Sequence, residues 1–190
     1  MSEPTTSGQI RIRSGQRELS VTGDLITIGD AVFRLSYVDH VVYRAAVLAH
    51  QASYIIGLGK GDTKRRFTFD AYRRGTELDD YRSCYERLVA MIEDQACPRL
   101  AETAFQTISA GGKVIFGAWP SARIEADATG LRPLWPFTRT VPWDRIARAD
   151  LHRGQARVWT EGDRKPAMSI DMFGWNAVVL PRFVTLAKSR

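Results

Sequence analysis

Apolar and polar residues alternate along several short stretches of the chain, then recur at helical spacing, and this change of period defines the predicted elements. Phe67 and Phe69 alternate with Thr68 and Asp70, and Met168, Ile170 and Met172 with Ser169 and Asp171. That is the period-2 signature of strands with one buried face. Leu78, Tyr81, Tyr85, Leu88 and Ile92 instead recur at spacings of 3, 4, 3 and 4, which places them on one face of an amphipathic helix. Thr76 stands where it can cap the first amides of that helix, and Pro98 marks its end. A second helical segment spans residues 176–189 with Val179, Phe183, Leu186 and Ala187 on one side. Pro181 removes a hydrogen bond inside it, so it either kinks or begins near Leu180. Residues 99–109 predict a short helix, broken by Gly111-Gly112 before a strand over 113–118.

The order of these elements is duplicated. Residues 37–42 (Tyr-Val-Asp-His-Val-Val) align with 142–147 (Pro-Trp-Asp-Arg-Ile-Ala) at an offset of 105, and the flanking segments run in the same order. Upstream lie alternating runs at 18–21 and 25–28 in the first half, and at 122–126 and Leu131 in the second. Downstream each half carries a predicted hairpin, 53–58 with 64–70 and 156–160 with 167–172. Gly57, Gly59, Gly61 and Asp62 are read as the turn of the first hairpin, and Glu161, Gly162 and Asp163 as that of the second. Each half then ends in a helix. The expected organisation is a flexible N-terminus at 1–8, a first unit at 9–97, a linker with a short helix at 98–111, and a second unit at 112–190. The fold class is mainly β with added α, each unit a bent antiparallel sheet or partly open barrel capped by its C-terminal helix.

Composition narrows the function. With 44% hydrophobic and 25% charged residues in 190, the chain has ordinary globular content and can bury a core. No apolar run approaches the roughly 20 residues of a membrane helix, and residues 1–8 lack the apolar core of a secretory signal. The expectation is therefore a cytoplasmic protein, with the inner face of the membrane as an alternative peripheral location. Cys84 and Cys97 are the only cysteines and are expected to be reduced, structural thiols. The net charge of +6 is unevenly placed. Residues 1–95 carry 13 Lys plus Arg against 13 Asp plus Glu, and residues 96–190 carry 14 against 8, with Arg supplying 11 of those 14.

The segment at Gly130-Leu131-Arg132, followed by Val141-Pro142 and a Trp-Asp-x-Ile strand expected over Trp143-Asp144-Arg145-Ile146, a hairpin and a terminal helix, resembles bacterial pleckstrin-homology-like (PH-like) domains. In the first half, Leu25-Ile26-Thr27-Ile28 before residues 35–41 matches the same order, with Val38 where the second half has Trp143. The resemblance implies a tandem pair of such units that binds proteins, peptides or anionic lipid, with self-association through strand edges left open, and no catalysis. Eukaryotic relatives bind lipid headgroups with a Lys followed by closely alternating basic residues in the first hairpin. Here Lys113 is followed by Arg123-Ile124-Glu125, with an acid in the alternating position, and Arg11, Arg13 and Arg17, which alternate better, lie before the first predicted strand at 18–21.

No catalytic set can be assembled. His40, His50 and His152 stand in unlike contexts, no Gly-x-Ser-x-Gly is present, and Asp39 and His40, as successive strand residues, should face opposite ways. Two distant cysteines and no paired His motif give no metal set, and neither Gly57-Leu58-Gly59-Lys60-Gly61 nor Gly112-Lys113-Val114 meets the phosphate-loop requirement, so no cofactor is expected. Binding residues are expected in the basic cluster Arg145, Arg148, Arg153 and Arg157, joined by Lys64, Arg65 and Arg66 of the first unit. Trp119 and Trp135, which flank prolines in predicted loops, complete the candidate set, whereas Trp143 and Trp159 are expected to pack the core. The expected function is non-enzymatic binding or scaffolding with a protein partner. The alternative is a peripheral membrane module that binds anionic lipid through the basic half. Nucleic acid is disfavoured, and homo-oligomerisation stays open.

Overall fold

The computed structural model describes residues 10–47, 51–72, 77–118 and 122–190, with Glu77 and Leu78 described by their backbone alone. The N-terminal segment 1–8, His50, the Thr76 cap and Trp119 lie outside the described residues. By its internal contacts the chain forms two compact units, Met1–Ala96 and Cys97–Arg190.

The first unit contains a four-stranded antiparallel sheet in sequential order, β1 (Ile10–Ser14), β2 (Arg17–Thr22), β3 (Leu25–Ile28) and β4 (Ala31–Arg34). After a 3-10 turn at Leu35–Tyr37 follows a three-stranded sheet, β5 (His40–Val47), β6 (Gln51–Lys60) and β7 (Thr63–Tyr72), and then helix α1 (Glu77–Gln95). Alternation is strict where it matters. Ile10, Ile12, Leu19, Val21, Ile26, Ile28, Phe67 and Phe69 are all buried, while their strand neighbours Arg11, Arg13, Thr68 and Asp70 are exposed. On α1, Leu88 and Ile92 are fully buried, each worth roughly 1.5–3 kcal/mol of transfer free energy. Tyr85 packs tilted against Tyr54 with ring centroids 4.8 Å apart, and Tyr81 meets Phe69 edge-on at 5.7 Å. Burial raises the Tyr85 phenol pKa above its ordinary value.

The second unit repeats the order. After α2 (Cys97–Ser109) come the four-stranded sheet β8 (Val114–Gly117), β9 (Arg123–Asp127), β10 (Gly130–Pro133) and β11 (Val141–Pro142), and a 3-10 turn at Trp143–Arg145. The three-stranded sheet β12 (Ile146–His152), β13 (Gln155–Thr160) and β14 (Met168–Asp171) follows, and α3 (Leu180–Ser189) closes the chain. Phe183 of α3 packs at 5.0 Å from Phe116 and edge-on at 5.7 Å from Trp143. A 3-10 turn at Ala177–Val179 precedes α3, so Pro181 falls in its first turn, where a missing N–H leaves no bond unmade. Helix α2 covers the stretch read as a linker, buries Cys97, Leu100, Ala101, Ala104 and Ile108, and packs on α3 within the second unit.

Four expectations need correction. The segment 10–14, read as lying before the first predicted strand, is strand β1. Arg11 and Arg13 there both bond Glu18 of β2, at 2.7 and 2.8 Å. The Trp-Asp-x-Ile segment is a 3-10 turn, and its strand begins only at Ile146. Gly57 and Gly59 lie inside β6, leaving Gly61-Asp62 as the hairpin turn. Gly59 serves close packing instead, because a Cβ there would stand 2.8 Å from Lys64 Cγ and 3.0 Å from His40 Cβ. Fourth, Asp39 and His40 do meet, at 2.5 Å between Oδ1 and Nδ1. Asp39 precedes β5, so strand alternation does not govern it.

Candidate functional site: an aromatic and arginine loop

The basic cluster expected around β12 and β13 is a structural ladder. Arg148 pairs with Trp159, and Asp150 with Arg157, directly across the two strands. The guanidinium of Arg148 lies 4.5 Å from the Trp159 ring centroid and that of Arg157 lies 5.0 Å from it, so the indole is flanked by two cations. Asp150 accepts hydrogen bonds from Arg157 Nε at 2.7 Å, from Trp159 Nε1 at 3.0 Å and from Arg148. Desolvation raises the Asp150 carboxyl pKa, but bonds from Arg157, Arg148 and Trp159 outweigh it and hold the group below the usual carboxylate range. Trp159 is thus half-buried on the outer face, not in the core. Arg145 sits in the 3-10 turn before β12 and Arg153 in the turn after it, at opposite ends of a seven-residue strand and therefore roughly 20 Å apart.

The remaining candidates divide likewise. Arg65 binds Asp30 through two nitrogens, at 3.1 and 3.2 Å. Arg66 is half-buried, and burial pushes its guanidinium pKa below its ordinary value. The carbonyl of Arg66 accepts from Arg17 at 2.5 Å, and Lys64 is exposed at the start of β7. These three belong to the first unit. Trp143 is half-buried and donates from Nε1 to the Asp127 carbonyl at 3.0 Å.

Trp135 stands where a contact residue should. It lies in the loop between β10 and β11, residues 134–140, and is 60% exposed. Its neighbour Phe137, absent from the sequence-based candidates, is 105% exposed and carries a φ of 63°. A bulky residue in the left-handed region costs on the order of 1–3 kcal/mol. The loop spends that strain to project an apolar ring into water, which no folding argument explains.

Local hydrogen bonds hold this conformation. Thr138 Oγ1 lies 2.5 Å from the Pro133 carbonyl and 2.8 Å from that of Trp135, and the Leu134 amide donates to the Arg123 carbonyl at 2.8 Å. At the base, Gly130 with φ 152° lets β11 approach, since a Cβ there would fall 2.1 Å from the Val141 carbonyl oxygen. Arg123 and Arg132 lie on the same pocket wall as the aromatics. Arg132 bonds Glu125 at 2.6 Å, beside Lys113 at 3.0 Å, and hydrogen bonds from Lys113 and Arg132 lower the Glu125 pKa. Among the described residues, Arg123 and Arg139 have no carboxylate partner. Arg123, Arg132, Leu134, Trp135 and Phe137 line a shallow open pocket of about 400 Å³.

Among the described residues no group of three or more His, Cys, Asp or Glu side chains could hold a metal ion, and no helix is long and apolar enough to cross a membrane. Comparison with protein-family models gives no match, and comparison with curated proteins gives none.

Proposed function

We propose that this chain is a non-enzymatic binding and scaffolding protein made of two PH-like units, and that its second unit docks on an anionic lipid surface through the β10–β11 loop. The repeated order supports the PH-like reading: four strands, a 3-10 turn, three strands and a C-terminal helix in each unit. The observation that carries the docking reading is Phe137, fully exposed at positive φ beside Trp135, with no acid in the loop to offset Arg139.

Magnitudes favour weak, reversible attachment. Burying Phe137 is worth about 2–3 kcal/mol, and Trp135, already part-covered, contributes less. Each arginine near an acidic bilayer adds roughly 1 kcal/mol. The total is on the order of 5–6 kcal/mol, equivalent to a dissociation constant near 0.1 mM. A convex apolar tip suits insertion between headgroups, with the indole at the interface and the guanidiniums on phosphates. A protein partner is the second reading, favoured by the open pocket beside Trp135.

Vesicle flotation tests this. The full chain should float with phosphatidylserine-containing vesicles at low salt, less at physiological salt, and not with phosphatidylcholine alone. Trp135→Ser with Phe137→Ser should abolish flotation without changing the melting temperature. Failure of the wild-type chain to float at low salt would remove the lipid reading and leave the protein reading.

A further inference from the structure

The first unit carries a separate open groove, of about 460 Å³, beside its edge strand β4. Phe33 and Val38 are buried beneath it, and Val32 and Tyr37 rise from it at 62% and 58% exposure. Two cations gather at Tyr37. Lys60 Nζ lies 4.7 Å from the ring centroid and the Arg34 guanidinium 6.0 Å from it.

The position of Lys60 is built. It ends β6, next to a turn that Asp39 clamps: the Asp39 amide donates to the Gly59 carbonyl at 2.9 Å, and Asp39 Oδ2 accepts from the Gly61 amide at 2.8 Å. With Oδ1 on His40, that carboxylate is committed, and desolvation, which raises its pKa, is outweighed by the bonds from Gly61 and His40, so it stays ionised. Asp24 is taken by Arg34, at 3.2 Å. Lys60 therefore has no carboxylate partner among the described residues, and its charge is presented to whatever occupies the groove.

The backbone of β4 adds the second feature. β4 ends its sheet, and among the described residues no strand pairs with its outer edge. The Leu35 amide donates to the Asp24 carbonyl at 3.1 Å. Antiparallel alternation then turns Phe33 and Ala31 toward β3 and leaves the N–H and C=O of Val32 facing outward. An open edge, an exposed valine and an uncompensated ammonium together match an extended peptide that adds as a strand.

We propose that this groove binds an extended acidic peptide segment of a protein partner, which lies along β4 and sets a carboxylate against Lys60 over the Tyr37 ring. An apolar side chain two residues away in the peptide faces the same side as that carboxylate and covers Val32. The inference stands on the first unit and does not rest on lipid docking.

Selection of a random-peptide phage library on the full chain tests it, because no ligand sequence need be assumed. Selected peptides should alternate Asp or Glu with apolar residues. Their affinity should fall about tenfold or more on Lys60→Glu, weaken with salt, and fall similarly on Val32→Pro, which removes the outward amide of an edge strand without breaking a ladder bond. Both side chains are exposed or at the rim, so melting temperatures report any damage to the fold. Trp135→Ser with Phe137→Ser should leave peptide binding intact. Recovery of no peptides, of basic peptides, or of peptides indifferent to Lys60→Glu and Val32→Pro would overturn the proposal.

Discussion

Between its third and fourth strands the first unit crosses with two residues, Gly29-Asp30, whereas the second unit crosses at the same place in its strand order with seven, residues 134–140. The short turn is closed by charge, since Asp30 binds Arg65. The long loop carries two exposed aromatics and no acid. The 3-10 turns that follow diverge as well. Their third residue is Tyr37 with Lys60 over its ring in the first unit, and the exposed Arg145 in the second. The order of strands is thus kept while connections differ, the β6–β7 turn (61–62) against the β13–β14 loop (161–167) as well, and such differences fall where function can be grafted without touching the core.

The largest expected effect tests the shared frame. Phe183→Ala should destabilise the second unit by about 3–5 kcal/mol, because the ring is fully buried against Phe116 and Trp143, read from urea denaturation. Phe67→Ala should do the same in the first unit. A cost below about 1 kcal/mol at either site would mean that the two cores are not built alike.

Next comes the loop itself. Removing both rings, Trp135→Ser with Phe137→Ser, should weaken vesicle binding about 100-fold or more, from the roughly 3–4 kcal/mol of apolar transfer lost. Replacing residues 134–140 by Gly-Asp should match it. Retained binding in either variant would break the comparison.

A smaller effect concerns the ladder that the second unit alone displays. Asp150→Asn should cost about 1–2 kcal/mol by weakening its bonds to Arg157 and Arg148. The sign with pH follows from the depressed carboxyl, whose folded pKa lies below the ordinary aspartate value. The stabilisation is therefore complete above that value and is lost as pH falls below it through the folded pKa. The gap between wild type and Asp150→Asn in urea midpoint should narrow as pH falls below the ordinary carboxylate range.

The smallest effect is on strain. Phe137→Gly should raise stability by about 1 kcal/mol or less, since glycine takes φ 63° freely, while weakening vesicle binding. A melting temperature that falls instead would mean the ring packs in solution.

Much of the frame was legible in the chain. Alternation at Phe67 and Phe69 and the helical spacing of Leu88 and Ile92 followed from periods that burial enforces; the repeated order was legible too, but not its offset, since 105 carries the 3-10 turn at 35–37 to 140–142 and the second turn spans 143–145. Strand β1 was equally legible, since Ile10-Arg11-Ile12-Arg13 alternates as strictly as any segment, and its arginines serve the strand pair by bonding Glu18. Parity also placed Trp159 outside, because Ala156 and Val158 are its inward neighbours; large size suggested the core and misled. The site was half-legible. Proline beside Trp135 signalled a loop, but the exposure of Phe137 depends on a backbone angle and on Thr138 contacts that no period encodes. Arginine density near β12 pointed to an anion site, whereas cross-strand register directs two of those arginines onto Asp150.

The most direct test of lipid docking by the second unit is tryptophan quenching on phosphatidylserine vesicles with brominated acyl chains. The wild-type chain should be quenched, and Trp135→Phe, which keeps an apolar ring, should still float but show quenching reduced toward zero. Equal quenching in the two chains, or none in a wild-type chain that floats, would contradict insertion by this loop.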